Sequence, residues 1–211
     1  MYTDLYLNKT LRRWELAVLL VFAFISVAGL WLNREQSALS EKVIRLHVIA
    51  NSDSAQDQAL KLQVRDAVIR ESEGWCVGCG DAQSARAALE GRLDDISKAA
   101  SRVVSEKGYS YPVTVTLEDN VWFPTRSYDD FSLPAGNYTA LRLIIGEGKG
   151  KNWWCVLFPP LCLGAVSETV EDTASSAGLN SSDVSLITGD SEGYIIKFKA
   201  IELWEELKAA L

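Results

Sequence analysis

Leu16 to Leu32 (LAVLLVFAFISVAGLWL) runs for 17 residues without a charge. As a helix such a run is about 25 Å long, near the lower limit for crossing a bilayer core. Trp14 and Trp31 bracket it, as aromatic residues do at a membrane interface. Lys9, Arg12 and Arg13 precede it, which favours a cytoplasmic N-terminus and an exported remainder. Two expectations compete. The run is a retained signal-anchor, or it is a secretory signal cleaved near Ala38-Leu39-Ser40. A buried core helix is the blander alternative, but the run is apolar on every side and basic at one end.

The rest of the chain looks like one ordinary domain. The 211 residues are 48% apolar and 23% charged, enough to bury a sizeable core. The first forty residues hold four basic and three acidic groups; the remaining part has 17 basic and 25 acidic, net −8. That balance leaves no basic footprint for nucleic acid. His47 is the only histidine, which excludes metal sites built on two.

Val43 to Ile49 alternates and is β-branched, so it reads as a half-buried strand with Val43, Arg45 and His47 on the outer face. Asn51-Ser52-Asp53-Ser54 offers N-caps for a helix from about Ala55 to Ser72. Leu60, Val64, Ala67 and Val68 form its inner stripe; Asp57 with Lys61 and Asp66 with Arg70 suit its outer face. After the glycines of 74–80, Asp81 can cap a second helix from Ala82 to about Lys107, with Ala85, Leu89, Leu93, Ile96, Ala100 and Val103 inward. Strands then follow at Val113–Leu117, Val121–Phe123, Tyr138–Ile145 and Trp153–Phe158, with Gly146 to Gly150 read as a hairpin turn. Ser167 to Asp183 reads as a loop or weak helix, Tyr194–Lys199 as a strand and Ile201–Leu211 as a closing helix. The expected fold class is α+β: an N-terminal signal or transmembrane helix, then a sandwich of an antiparallel or mixed sheet with two packed helices.

Three groups of residues could carry chemistry. Cys76-Val77-Gly78-Cys79, after Trp75, has the outline of a thiol redox motif, of half a zinc site completed by Cys155 and Cys162, or of a local disulfide. The redox reading wants a strand before the pair, and here a helix precedes it. Asn152-Trp153-Trp154-Cys155-Val156-Leu157-Phe158-Pro159-Pro160-Leu161-Cys162 is the second group. In an exported domain a Cys155–Cys162 bond would close an eight-residue ring stiffened by Pro159 and Pro160. Trp153, Trp154 and Phe158 are core aromatics in the plain reading and a rigid docking surface in the sharper one. The third group is His47, Ser52 and Asp53. A hydrolase triad could be assembled from them, but no G-x-S-x-G elbow is present, and helix capping with a strand-surface His47 is the simpler reading.

Several long words resemble a known family. They are Ile44-Arg45-Leu46-His47-Val48-Ile49-Ala50-Asn51-Ser52-Asp53-Ser54, Leu133-Pro134-Ala135-Gly136-Asn137-Tyr138 and, above all, Gly146 to Cys162. In this order, from about Val43 to Cys162, the chain resembles the stage II sporulation protein R family. The Cys76/Cys79 pair is not part of that resemblance. The resemblance implies a signal made in the forespore of endospore-forming Firmicutes and exported into the space between forespore and mother cell. There it would activate a membrane-embedded aspartic protease of the mother cell, which processes the precursor of sigma factor E. It divides the chain into an address (1–40), a signalling domain (41–166) and a C-terminal extension (167–211).

The expectation is therefore an exported, non-enzymatic ligand, secreted or held by one N-terminal helix. No catalytic residue, cofactor, metal, nucleic acid or small-molecule substrate is expected. The contact residues would be Asn51, Ser52, Asp53, Asn152, Trp153, Trp154, Pro159 and Pro160. Cys155 and Cys162 would form a disulfide, with Cys76 and Cys79 a second pair. The rival classes are an extracytoplasmic hydrolase using His47 and Asp53, a thiol oxidoreductase using Cys76 and Cys79, and an envelope-anchored binding module.

Overall fold

The computed structural model describes residues 14–24, 27, 34, 36–72, 74, 76, 78–128, 130–161 and 170–189. Residues 14–24 are helical and exposed, Trp14 at 73% and Phe24 at 75%. Among the described residues no helix is long and apolar enough to cross a membrane.

The domain is α+β around a four-stranded mixed sheet. Its strands are β1 (Ile44–Ile49), β2 (Val113–Phe123), β5 (Gly136–Ile145) and β6 (Asn152–Phe158), in the order β2-β5-β1-β6. β1 runs parallel to β5 and antiparallel to β6; β2 is antiparallel to β5. A short pair, β3 (Arg126–Ser127) and β4 (Ser132–Leu133), forms a separate ribbon. One face of the sheet carries α1 (Ala55–Ser72), α2 (Ala82–Glu90) and α3 (Leu93–Glu106). Ile44, Leu46 and Val48 join Leu60, Val64, Leu89, Ile96 and Val104 in that core. The other face is closed by Leu39, the β4 residue Leu133, α4 (Val170–Ser176) and α5 (Ser181–Thr188).

Three expectations change for physical reasons. β1 is not half-buried: a central strand covered on both faces buries all six residues, Arg45 (0% exposed) and His47 (5%) included. The second helix is two helices, because Gly91, a poor helix residue, separates α2 from α3. The register after this break buries Val104, leaving Val103 only partly buried. The two expected strands at 113–123 are one, since a bulge near Asn120, at a φ of 58°, lets β2 keep its pairing with β5. Of the two readings of 167–183, loop or weak helix, the helical one holds for α4 and the start of α5. Tyr194–Lys199 and Ile201–Leu211 lie outside the described residues.

Among the described residues Arg45 has no acidic partner, and its surroundings replace one. Its Nε donates to the Cys155 carbonyl (3.2 Å) and its Nη2 to the Tyr128 hydroxyl (2.9 Å). Its guanidinium lies 4.3 Å from the centre of the Phe123 ring and 5.1 Å from that of Tyr138. Burial pushes the Tyr138 hydroxyl up to about 12, and that hydroxyl donates to the Pro134 carbonyl at 2.7 Å.

Candidate functional site

The topology explains the glycine-rich loop. β5 and β6 lie on either side of β1, so the loop from Gly146 to Lys151 is no hairpin turn. It must cross the C-terminal end of β1, where the chain turns through Asn51 to Ser54. The two segments are tied together by main-chain and side-chain bonds. The Lys149 N–H donates to the Asn51 carbonyl (3.1 Å) and the Gly150 N–H to the Ala50 carbonyl (2.9 Å). Asn51 Oδ1 accepts from the Glu147 N–H (3.0 Å), and Asp53 Oδ1 from the Lys151 N–H (2.6 Å). The crossing is close enough to require glycine. A Cβ at Gly150 would overlap the Ser52 carbonyl, and one at Gly146, whose φ is 59°, would overlap the Asn51 side chain.

A buried carboxylate braces the turn from below. Asp57 is the third residue of α1, and its Oδ2 accepts from Ser52 Oγ (2.5 Å) and Asn51 Nδ2 (2.9 Å). These hydrogen bonds, Ser52 first, hold its carboxyl below the usual range although burial acts against them. Ser54, not Ser52 or Asp53, caps the helix by accepting the Asp57 N–H at 3.1 Å. Lys61 is also buried, and its Nζ donates to the Lys151 carbonyl (2.9 Å) and to Gln58 (2.6 Å). Burial holds its amine below the usual lysine range. The expected outer-face pair of Asp57 and Lys61 is therefore an inner brace. Arg65, rather than Arg70, pairs with Asp66, at 2.6 Å. Alternation of charge in a helix says nothing of a loop from 90 residues away, and that is why this brace was missed.

The expected contact residues separate into two ends. Asn152 opens β6 opposite Ile49, next to the Asn51–Asp53 turn, and is exposed. Phe158 lies opposite Ile44, so buried Pro159 and exposed Pro160 sit at the other end of the sheet, roughly 20 Å away at strand rise. Between the ends, Trp153 and Trp154 are half-buried on opposite faces of the strand. Trp153 lies under the Arg65 guanidinium, 4.3 Å from the ring centre. Trp154 stacks on His47 at 3.8 Å and meets the edge of Phe123 at 4.7 Å.

The hydrolase triad does not assemble. Among the described residues neither His47 ring nitrogen has a hydrogen-bond partner, and the imidazole lies beneath Trp154. The Asn152 amide beside it favours the protonated ring without reaching hydrogen-bond geometry. Burial dominates and lowers the His47 pKa from 6.5 to about 4. Ser52 and Asp53 are committed to Asp57 and to the Lys151 N–H. Cys76 and Cys79 are bonded to each other in the loop between α1 and α2, partly buried against the core. Both precede the first residue of α2 by three residues or more, away from its N-terminus. Cys155 is also oxidised, while Cys162 lies outside the described residues. Among the described residues no cluster of ligand side chains is arranged for a metal ion.

The family model of stage II sporulation protein R matches residues 40–168, from the entry to β1 through the Gly146 loop and β6. The chain belongs to the stage II sporulation protein R family. It is 37% identical over 151 residues to the stage II sporulation protein R of Bacillus subtilis strain 168, a match covering 67% of each chain. No solved structure matches it. The family match spans both partners of the braced crossing, the turn at Asn51–Ser54 and the loop at Gly146–Lys151. In this family member those words build the end of the sheet, where Asn51 and Asp53 side chains hold the main chain of the loop.

Proposed function

We propose that this chain is an exported sporulation signal rather than an enzyme. It acts in the space between forespore and mother cell by touching and activating the membrane-embedded aspartic protease that processes the sigma-E precursor. Family membership is the observation that carries the reading. Export is supported by the charge-free run of Leu16 to Leu32 and by the apolar helix at 14–24, whose Trp14, Leu19 and Phe24 are exposed. A ligand role is supported by the committed state of His47, Ser52 and Asp53, which leaves no nucleophile–base pair there.

The contact surface in this reading is the braced end of the sheet. Asp53, Glu147, Lys149, Lys151 and Asn152 are among its exposed side chains. The hydrogen bonds of Asn51, Ser52 and Asp53 hold that end in shape, so it meets a partner with little ordering left to pay in entropy. The test is to co-produce the chain with the protease and the sigma-factor precursor in vegetative cells. Precursor processing is expected only when the chain is present and its apolar segment intact. Processing that proceeds equally without the chain would remove the reading.

A further inference from the structure

The structure also shows where the folded domain begins, a point that rests on the reading that the chain is exported. Residues 36–40 are helical and end in a tight turn, with the Glu41 N–H on the Ser37 carbonyl (3.1 Å) and the Lys42 N–H on the Leu39 carbonyl (3.0 Å). Leu39 is 0% exposed and belongs to the same core as Val43, Phe131, Leu133 and Tyr138. Gln36 is 5% exposed, and its side-chain amide lies over Gly136 in the space a Cβ there would take. Lys42 pairs with Asp183 of α5 at 2.5 Å. The segment that would carry a cleavage site is thus built into the domain.

We propose that residues 36–40 stay with the domain in the exported protein, and that the apolar segment is retained as a membrane stem. Cleavage at Ala38-Leu39-Ser40 would remove Gln36 and Leu39 together. It would uncover Gly136 and leave a leucine-sized hole in a closed core. The partner of the stem is the lipid bilayer. Three residues separate Leu32 from Gln36, and the four steps between them reach at most about 14 Å even fully extended. The domain therefore rides close to the membrane. Gln36 covers Gly136, the first residue of β5, and β5 runs parallel to β1. The stem accordingly enters at the sheet end where β1 starts, and the Asn51/Gly146–Asn152 end lies at the opposite end of the strands. A retained stem directs the contact surface away from the membrane that bears it.

The experiment uses the full chain with a C-terminal tag in a Gram-positive host. Intact mass, extraction with alkaline carbonate and digestion of protoplasts by added protease are read together. The expected result is an uncleaved chain that stays in the carbonate pellet and is reached by external protease. An exported protein whose N-terminus lies at Glu41, or anywhere beyond Leu32, overturns the proposal, as does release of the domain by carbonate. An uncleaved chain that external protease cannot reach defeats the export premise instead, and the proposal falls with it. Leu39→Glu in the full chain gives a second readout. The variant is expected to stay membrane-bound while its domain becomes at least tenfold more sensitive to trypsin, and unchanged resistance would show that the segment is no part of the fold.

Discussion

The pH dependence of stability isolates His47, because the chain has no other histidine. Burial against Trp154 and Phe123 lowers its pKa from 6.5 to about 4. The folded protein then keeps the ring neutral where the unfolded chain already binds a proton. The sign follows from linkage: between about pH 6.5 and 4 the unfolded state holds more protons, so stability falls as the pH falls through that window. The gap from 6.5 to about 4, at about 1.4 kcal/mol per pH unit, amounts to about 3 kcal/mol when fully developed. Asp57 and Glu118 have lowered carboxyl pKa values, so their own contributions are lost only further into acid. Urea unfolding followed by tryptophan fluorescence at pH 7, 6, 5 and 4.5 measures the slope. His47→Phe preserves the stack on Trp154 and is expected to flatten the profile above pH 4.5. A wild-type profile already flat over that range, or a slope that survives in His47→Phe, would refute the buried, neutral imidazole and reopen a role for it as a base.

Three further changes probe the braced end and the stem. Gly150→Ala forces the loop away from the Ser52 carbonyl and endangers the bonds at Lys149, Gly150 and Lys151; a loss of about 2–4 kcal/mol is expected in urea unfolding. Asp57→Asn weakens two hydrogen bonds to a buried carboxylate, for a loss of about 1.5–3 kcal/mol at pH 7. The Asp57 carboxyl is held below its ordinary value, so its stabilisation is present above about pH 4 and vanishes as the pH falls through the folded value; the acid limb of the stability curve should be shallower in the variant. Leu39→Ala empties a fully buried position and should cost about 2–5 kcal/mol by the same unfolding measurement.

Much of the fold was legible because periodicity is a local signal. Ala55–Ser72 and Trp153–Phe158 emerge from spacing alone, and the resemblance named the family from the words at Ile44–Ser54 and Gly146–Cys162. What spacing could not show is which strand stands between two others. Gly146–Gly150 reads as a hairpin when β5 and β6 are taken as neighbours, and becomes a crossing once β1 lies between them. The same fact buries Arg45 and His47, whose polar character argues for a surface when only one strand is in view. Gln36 and Leu39 were hidden for another reason. They stand beside the charge-free run of Leu16 to Leu32, and nothing in a sequence marks where such a run stops and a core begins.

We propose direct contact between the braced end of this domain and the membrane-embedded protease of the mother cell. A photoactivatable amino acid at position 152, in the full chain produced in sporulating cells, is the direct test. An ultraviolet-dependent adduct containing the protease is expected from position 152 and none from position 98, on the helical face at Lys98. Normal processing of the sigma-factor precursor with no adduct at position 152, or with adducts only from position 98, would contradict it.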